Sequence, residues 1–132
     1  MKTNKFSFKS RFASLRFAIN GLWSLLRYEH NSRIHLGVAI SAIILGIVLR
    51  LNSSEWCLII ILTGLVFITE LLNSALESLA DYTNPDLNEL IKNAKDYSAA
   101  AVLLSAIISV VIGAIIFIPK ILNLIFTSSV IK

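Results

Sequence analysis

One cysteine in 132 residues, Cys57, leaves no partner for a disulfide within the chain and excludes a multi-cysteine zinc site. Charge is sparse too. Only 15% of residues are Asp, Glu, Lys or Arg, where a soluble domain carries about a quarter. Apolar residues make up 56% and mean hydropathy is +0.78, the composition of a membrane protein. A net charge of +4 hints only weakly at nucleic acid, and none is expected as a partner. No repeat or low-complexity tract is visible. No compact apolar stretch with a small-residue cleavage site follows the basic N-terminus, so membrane segments are expected to stay in the mature chain.

Apolar runs are abundant. Residues 6–28 do not form one, because Lys9, Arg11, Arg16 and Arg27 interrupt them. Phe8, Phe12, Leu15, Ile19, Leu22 and Leu26 recur instead at steps of three and four, beside a polar stripe of Lys9, Arg16, Asn20 and Arg27. With Trp23 and Tyr28, this predicts a basic amphipathic helix lying in the headgroup region. Three apolar stretches follow: 34–51, 56–80 with Glu70 and Glu77 toward its end, and a helix expected over 85–118. Asn84-Pro85 with Asp86 and Glu89 is a helix-start signal for the last. A crossing takes about 20 residues. The expected architecture is therefore all-α, one domain over 1–132, three transmembrane helices preceded by the surface helix. The 119–132 tail has no functional reading.

Seven of the twelve Lys and Arg residues precede the first span. By the positive-inside bias the N-terminus and the 82–96 connection are expected to face the cytoplasm.

The chemistry-bearing segment is Glu70-Leu-Leu-Asn73-Ser-Ala-Leu-Glu77-Ser-Leu-Ala-Asp81. Its four polar members stand at i, i+3, i+7 and i+11, one face of one helix. A carboxylate near mid-bilayer costs roughly 2.5–3.5 kcal/mol and is a functional candidate by default. A helix end emerging into water explains Asp81 well, Glu77 in part and Glu70 poorly. Asn93-Ala-Lys95-Asp96 sits where the third span enters the membrane; taken alone it reads as a Lys92–Asp96 ion pair and an interface-anchoring lysine. Glu29-His-Asn31-Ser-Arg33-Ile-His35 marks the entry to the first span.

Put on the cytoplasmic side, these groups suit phosphoryl transfer: Glu29 and Glu77 for Mg²⁺, Lys95 against phosphates, Glu70 as base toward a lipid hydroxyl. Neither a G-x-x-x-x-G-K-(S/T) loop nor a kinase Gly-rich loop is present. The competing reading is an oligomeric channel or transporter subunit conducting along Glu70, Asn73 and Glu77, which would have no need of Lys95-Asp96 and Glu29. A third, a membrane anchor or assembly factor, would make Glu70 dispensable.

The pattern Glu-x-x-Asn-(Ser/Thr)-Ala-(Ile/Leu)-Glu-x-x-x-Asp, with Ala-Lys-Asp and Ser-Ala-Ala-Ala-Val further on, resembles the bacterial diacylglycerol kinase/undecaprenol kinase family over residues 6–118. The resemblance implies a homotrimer with active sites between subunits, Mg-ATP at the cytoplasmic interface and a membrane lipid as acceptor. It implies Glu70 as catalytic base, Glu29 and Glu77 as metal-coordinating carboxylates, Asn73 lining the site, Lys95 on the nucleotide phosphates and Asp96 beside the nucleotide. Arg11 and Phe17 fall near positions that approach ATP, Phe17 standing where some members carry tyrosine. Arg33 and His35 resemble the undecaprenol kinase branch.

Overall fold

The computed structural model describes residues 8–82 and 89–130, with side chains for 12–82 and 89–126. Four helices follow one another: α1 (Phe8–Tyr28), α2 (His30–Val48), α3 (Ser53–Tyr82) and α4 (Glu89–Val130). No strand occurs among the described residues. α2, α3 and the Glu89–Phe126 part of α4 are each long and apolar enough to cross a membrane. The chain is an all-α membrane protein.

α2 and α3 form a tight hairpin. α2 ends as Arg50 N–H bonds the Ile47 carbonyl at 3.2 Å and Leu51 N–H reaches the Gly46 carbonyl at 3.0 Å, the paired bonds of a Schellman end. That motif puts one residue in the left-handed region, and here it is Arg50 with φ 52°, where glycine is the usual occupant. Asn52 opens α3 with reciprocal bonds: Asn52 N–H to Glu55 Oε2 at 2.7 Å and Glu55 N–H to Asn52 Oδ1 at 3.0 Å. Two otherwise orphaned donors are thereby satisfied. Gly46 is required where it stands, since a Cβ there would lie 2.8 Å from the Trp56 ring.

Leu51, Ile59 and Ile116 are buried beside this turn, with Trp56, Ile112 and Phe117 packed against them. α3 and α4 share the most extensive packing, and α1 touches both α2 and α3. Much of the apolar surface of α2, α3 and α4 stays exposed in the single chain, as lipid-facing helices require. In α1, Leu25 is buried, whereas Phe12, Leu15, Ile19 and Leu22 of the predicted apolar stripe are exposed.

α4 does not stop at Pro119. It runs on to Val130 with the proline inside it. The missing N–H costs one backbone bond, but Lys120 just beyond anchors the continuation by pairing with Glu55 at 3.1 Å. The stretch 119–132, read as a tail, is thus largely helical. The predicted start at Pro85 lies outside the described residues.

Candidate functional site

α3 changes character along its length. Ile59, Leu62 and Val66 are buried apolar residues in its first half. From Thr69 onward polar side chains join that face, with Ala80 buried among them. Thr69 Oγ1 and Ser105 Oγ of α4 lie 2.9 Å apart, followed by Glu70, Asn73, Glu77 and Asp81, each with a partner at hydrogen-bonding or ion-pairing distance.

Axial position decides which of these carboxylates is abnormal. At 1.5 Å rise per residue, Glu70 lies about 22 Å along α3 from Glu55, Glu77 about 33 Å and Asp81 about 39 Å. If the Glu55–Lys120 pair marks one boundary of a hydrocarbon core about 30 Å thick, Glu77 stands at the far boundary and Asp81 beyond it. Glu70 stays inside. Its residue is 3% exposed, and α2 supplies its polar surroundings. Ser32, fully buried, donates to Oε2 at 3.2 Å. His35 Nε2 approaches Oε1 at 3.2 Å, within ion-pair reach, but the ring does not aim an N–H at that oxygen, so Oε1 is buried with no hydrogen bond. Leaving a buried carboxylate oxygen unbonded costs free energy; among the described residues this oxygen and the Ser74 hydroxyl are the buried side-chain atoms so left.

Asn73 is fixed at both ends. Its Nδ2 donates to Glu77 Oε1 at 3.0 Å, and its Oδ1 accepts from Ser98 Oγ of α4 at 2.7 Å. The amide therefore orients one carboxylate oxygen of Glu77, whose other oxygen makes no hydrogen bond among the described residues. One turn further, Lys95 Nζ of α4 meets Asp81 Oδ1 at 2.8 Å. The lysine reaches across to α3, and no Lys92–Asp96 pair forms among the described residues.

The structure thus brings Glu70, Asn73, Glu77 and Lys95 onto one seam between α3 and its neighbours. Glu29 is half-buried at the junction of α1 and α2 and makes no side-chain cap bond to α2. Asp96 is exposed, as is Phe17 on α1. The side chain of Arg11 lies outside the described residues. Sequence reasoning missed Ser32 and Ser98. Serine at a helix–helix contact is ordinary, and nothing in the spacing marks these two as partners of Glu70 and Asn73.

A multi-pass helical membrane protein with a buried carboxylate and an Asn–Glu–Lys seam toward one membrane face is the class the fold defines. A model described as prokaryotic diacylglycerol kinase matches residues 16–117, and the chain belongs to that family. It is 39% identical over 109 residues to the undecaprenol kinase of Bacillus subtilis, covering 83% of this chain and 89% of that protein. The diacylglycerol kinase of Synechocystis is 38% identical over 112 residues, 84% of this chain and 64% of the relative. That of Helicobacter pylori strain 26695 is 33% identical over 100 residues, with 76% and 78% covered.

Proposed function

We propose that this chain transfers the γ-phosphoryl of ATP to the hydroxyl of a membrane lipid, diacylglycerol or undecaprenol. The observation that carries the reading is the buried Glu70 carboxylate with one oxygen unbonded, placed toward the face where Lys95 and Glu77 gather. Membership of a family whose relatives are named as lipid kinases supports it. The channel alternative is not favoured: a conduction stripe leaves the recruitment of Ser98 and Lys95 unexplained.

Glu70 takes the role of base. Held by Ser32 on one oxygen, it presents the other to the lipid hydroxyl, and the proton leaves the lipid as the oxygen attacks phosphorus. Lys95 supplies positive charge to phosphates; its contact with Asp81 is an exposed one that a polyanion outcompetes. Mg²⁺ suits the residues present, since it takes hard oxygens, uses one or two carboxylates and completes its shell from phosphates and water. Glu77, oriented by Asn73, and Glu29 would hold it, and it would offset charge on the transferring group. Asp96 stands beside the nucleotide, with Arg11 and Phe17 of α1 approaching it. α1 lies in the headgroup region of the bacterial inner membrane, its N-terminus and the site facing the cytoplasm. The exposed apolar faces suit a homotrimer.

The test is direct. Protein purified in mixed micelles is given radiolabelled ATP, Mg²⁺ and either diacylglycerol or undecaprenol. Lipid phosphate should form with at least one acceptor, vanish in E70Q, and vanish when Mg²⁺ is chelated. A well-folded wild type that phosphorylates neither lipid refutes the assignment.

A further inference from the structure

Taking a proton from the lipid hydroxyl is half of the task, because Glu70 must also lose it before the next turnover. Glu70 is 3% exposed and about 22 Å along its helix from Glu55, so it has poor access to water. Three observations on its neighbour address this. His35 Nε2 is 3.2 Å from Oε1, the oxygen with no hydrogen bond. In the single chain the His35 side chain is 22% exposed, against 4% for that of Glu70. His35 also lines an apolar cavity of about 400 Å³ between α2, α3 and α4.

From these we infer that His35 relays the proton: the imidazole accepts from Glu70 what the carboxylate has taken from the lipid, and passes it to water. This rests on Glu70 being the base. The lipid O–H bond breaks as the new oxygen–phosphorus bond forms and ADP leaves with the electrons of the broken β–γ bridge. The proton resides first on Glu70, then forms an N–H on His35, and exits as that N–H is lost to solvent. Bonds and charges balance without any further reactant. The present alignment is loose, and such contacts tighten once substrate is bound.

The surroundings leave His35 as the acceptor. Of the charged or titratable groups on α3, Glu70 is the one paired with it. α4 contributes Ala106, Ser109, Val110, Gly113 and Phe117 to the shared cavity, none of which titrates. On its own helix, Ser32 is committed to the other oxygen of Glu70 and Arg33 is exposed. From α1, Arg27 lies over the Tyr28 ring, 5.7 Å from its centroid, and neither it nor Arg16 forms an ion pair with His35 or Glu70 among the described residues. Ser32 holds one oxygen still while His35 serves the other, so the two α2 residues divide the carboxylate between positioning and release.

H35Q and H35A, measured as kcat and KM for ATP and lipid across pH, test the relay. H35Q should lower kcat on the order of 100-fold, leave both KM values within about threefold, and change the pH profile of kcat. Added imidazole should restore part of the H35A rate in a saturable manner, entering the cavity the missing ring vacates. The relay is overturned if H35Q keeps wild-type kcat and pH profile. It is equally overturned if activity falls with raised KM, a lower thermal midpoint, an unchanged profile and no imidazole rescue, the mark of a structural histidine. E70Q separates the two levels: a dead E70Q beside an unaffected H35Q refutes the relay alone, whereas an active E70Q removes the base and the relay with it.

Discussion

Replacing Ser32 by alanine removes the one hydrogen bond that the Glu70 carboxylate accepts among the described residues. Hydrogen bonds to charged groups contribute roughly 1.5–3 kcal/mol. At 3.2 Å the contact is longer than the 2.5–2.7 Å or so usual for a hydroxyl on a carboxylate, which places the loss near the low end, about 1.5 kcal/mol. That is close to a tenfold change in the unfolding equilibrium. The charge on Glu70 should be responsible for much of it. In an E70Q background the same hydroxyl faces a neutral amide, where so long a hydrogen bond contributes about 0.5 kcal/mol, the low end for neutral pairs. The assay is reversible unfolding in mixed detergent micelles, followed by tryptophan fluorescence, for wild type, S32A, E70Q and the double variant. A coupling of about 1 kcal/mol is expected. If S32A costs the same in both backgrounds to within about 0.5 kcal/mol, the range in which independent sites add, then the serine does not stabilise a carboxylate and the account of the buried site is wrong.

Gly46→Ala should destabilise by about 1–3 kcal/mol, because the added methyl meets the Trp56 ring at 2.8 Å and overpacked cores lose that much; a thermal scan reads it. Arg50→Gly should raise the thermal midpoint, relieving a left-handed backbone that costs a side-chain-bearing residue about 1–2 kcal/mol, less part of that for glycine's freedom when unfolded. Asn73→Ala, which loses the bonds to both Glu77 and Ser98, should lower kcat by tenfold or more on the rate-per-free-energy scale of about 1.4 kcal/mol per decade. Ser98→Ala should lower it less, since it leaves the Asn73–Glu77 bond intact; equal losses would refute the orienting role of the amide.

The helices are legible in the sequence because their signals are strong. Low charge and long apolar runs mark α2, α3 and α4, and the 3, 7, 11 spacing of Asn73, Glu77 and Asp81 from Glu70 is enough to put four polar groups on one helix face. What faces them is not legible. Ser32 and Ser98 acquire meaning only when α2 and α4 are packed on α3, and serine is too common to announce a partner. Lys95 illustrates the same limit: by itself it reads as an interface-anchoring lysine, but tertiary packing gives it Asp81 on another helix. Pro119 shows local propensity overridden. A proline ends an isolated helix, yet with a cross-helix ion pair one residue beyond, the helix outlasts the lost bond.

Glu29 is the whole of the joint between two helices. α1 ends at Tyr28 and α2 begins at His30, and the residue between them has extended backbone, φ −92° and ψ 118°, with its N–H still tied to the Leu25 carbonyl at 2.9 Å. Any swing of the first rod against the second must be taken up by the torsions of that residue and its immediate neighbours. The same residue carries a carboxylate proposed above as a metal ligand. The tilt of α1 and the reach of that carboxylate are consequently one mechanical variable: the rod cannot lift from the bundle without re-aiming an acidic group, and a cation gripping that group would in turn brake the rod.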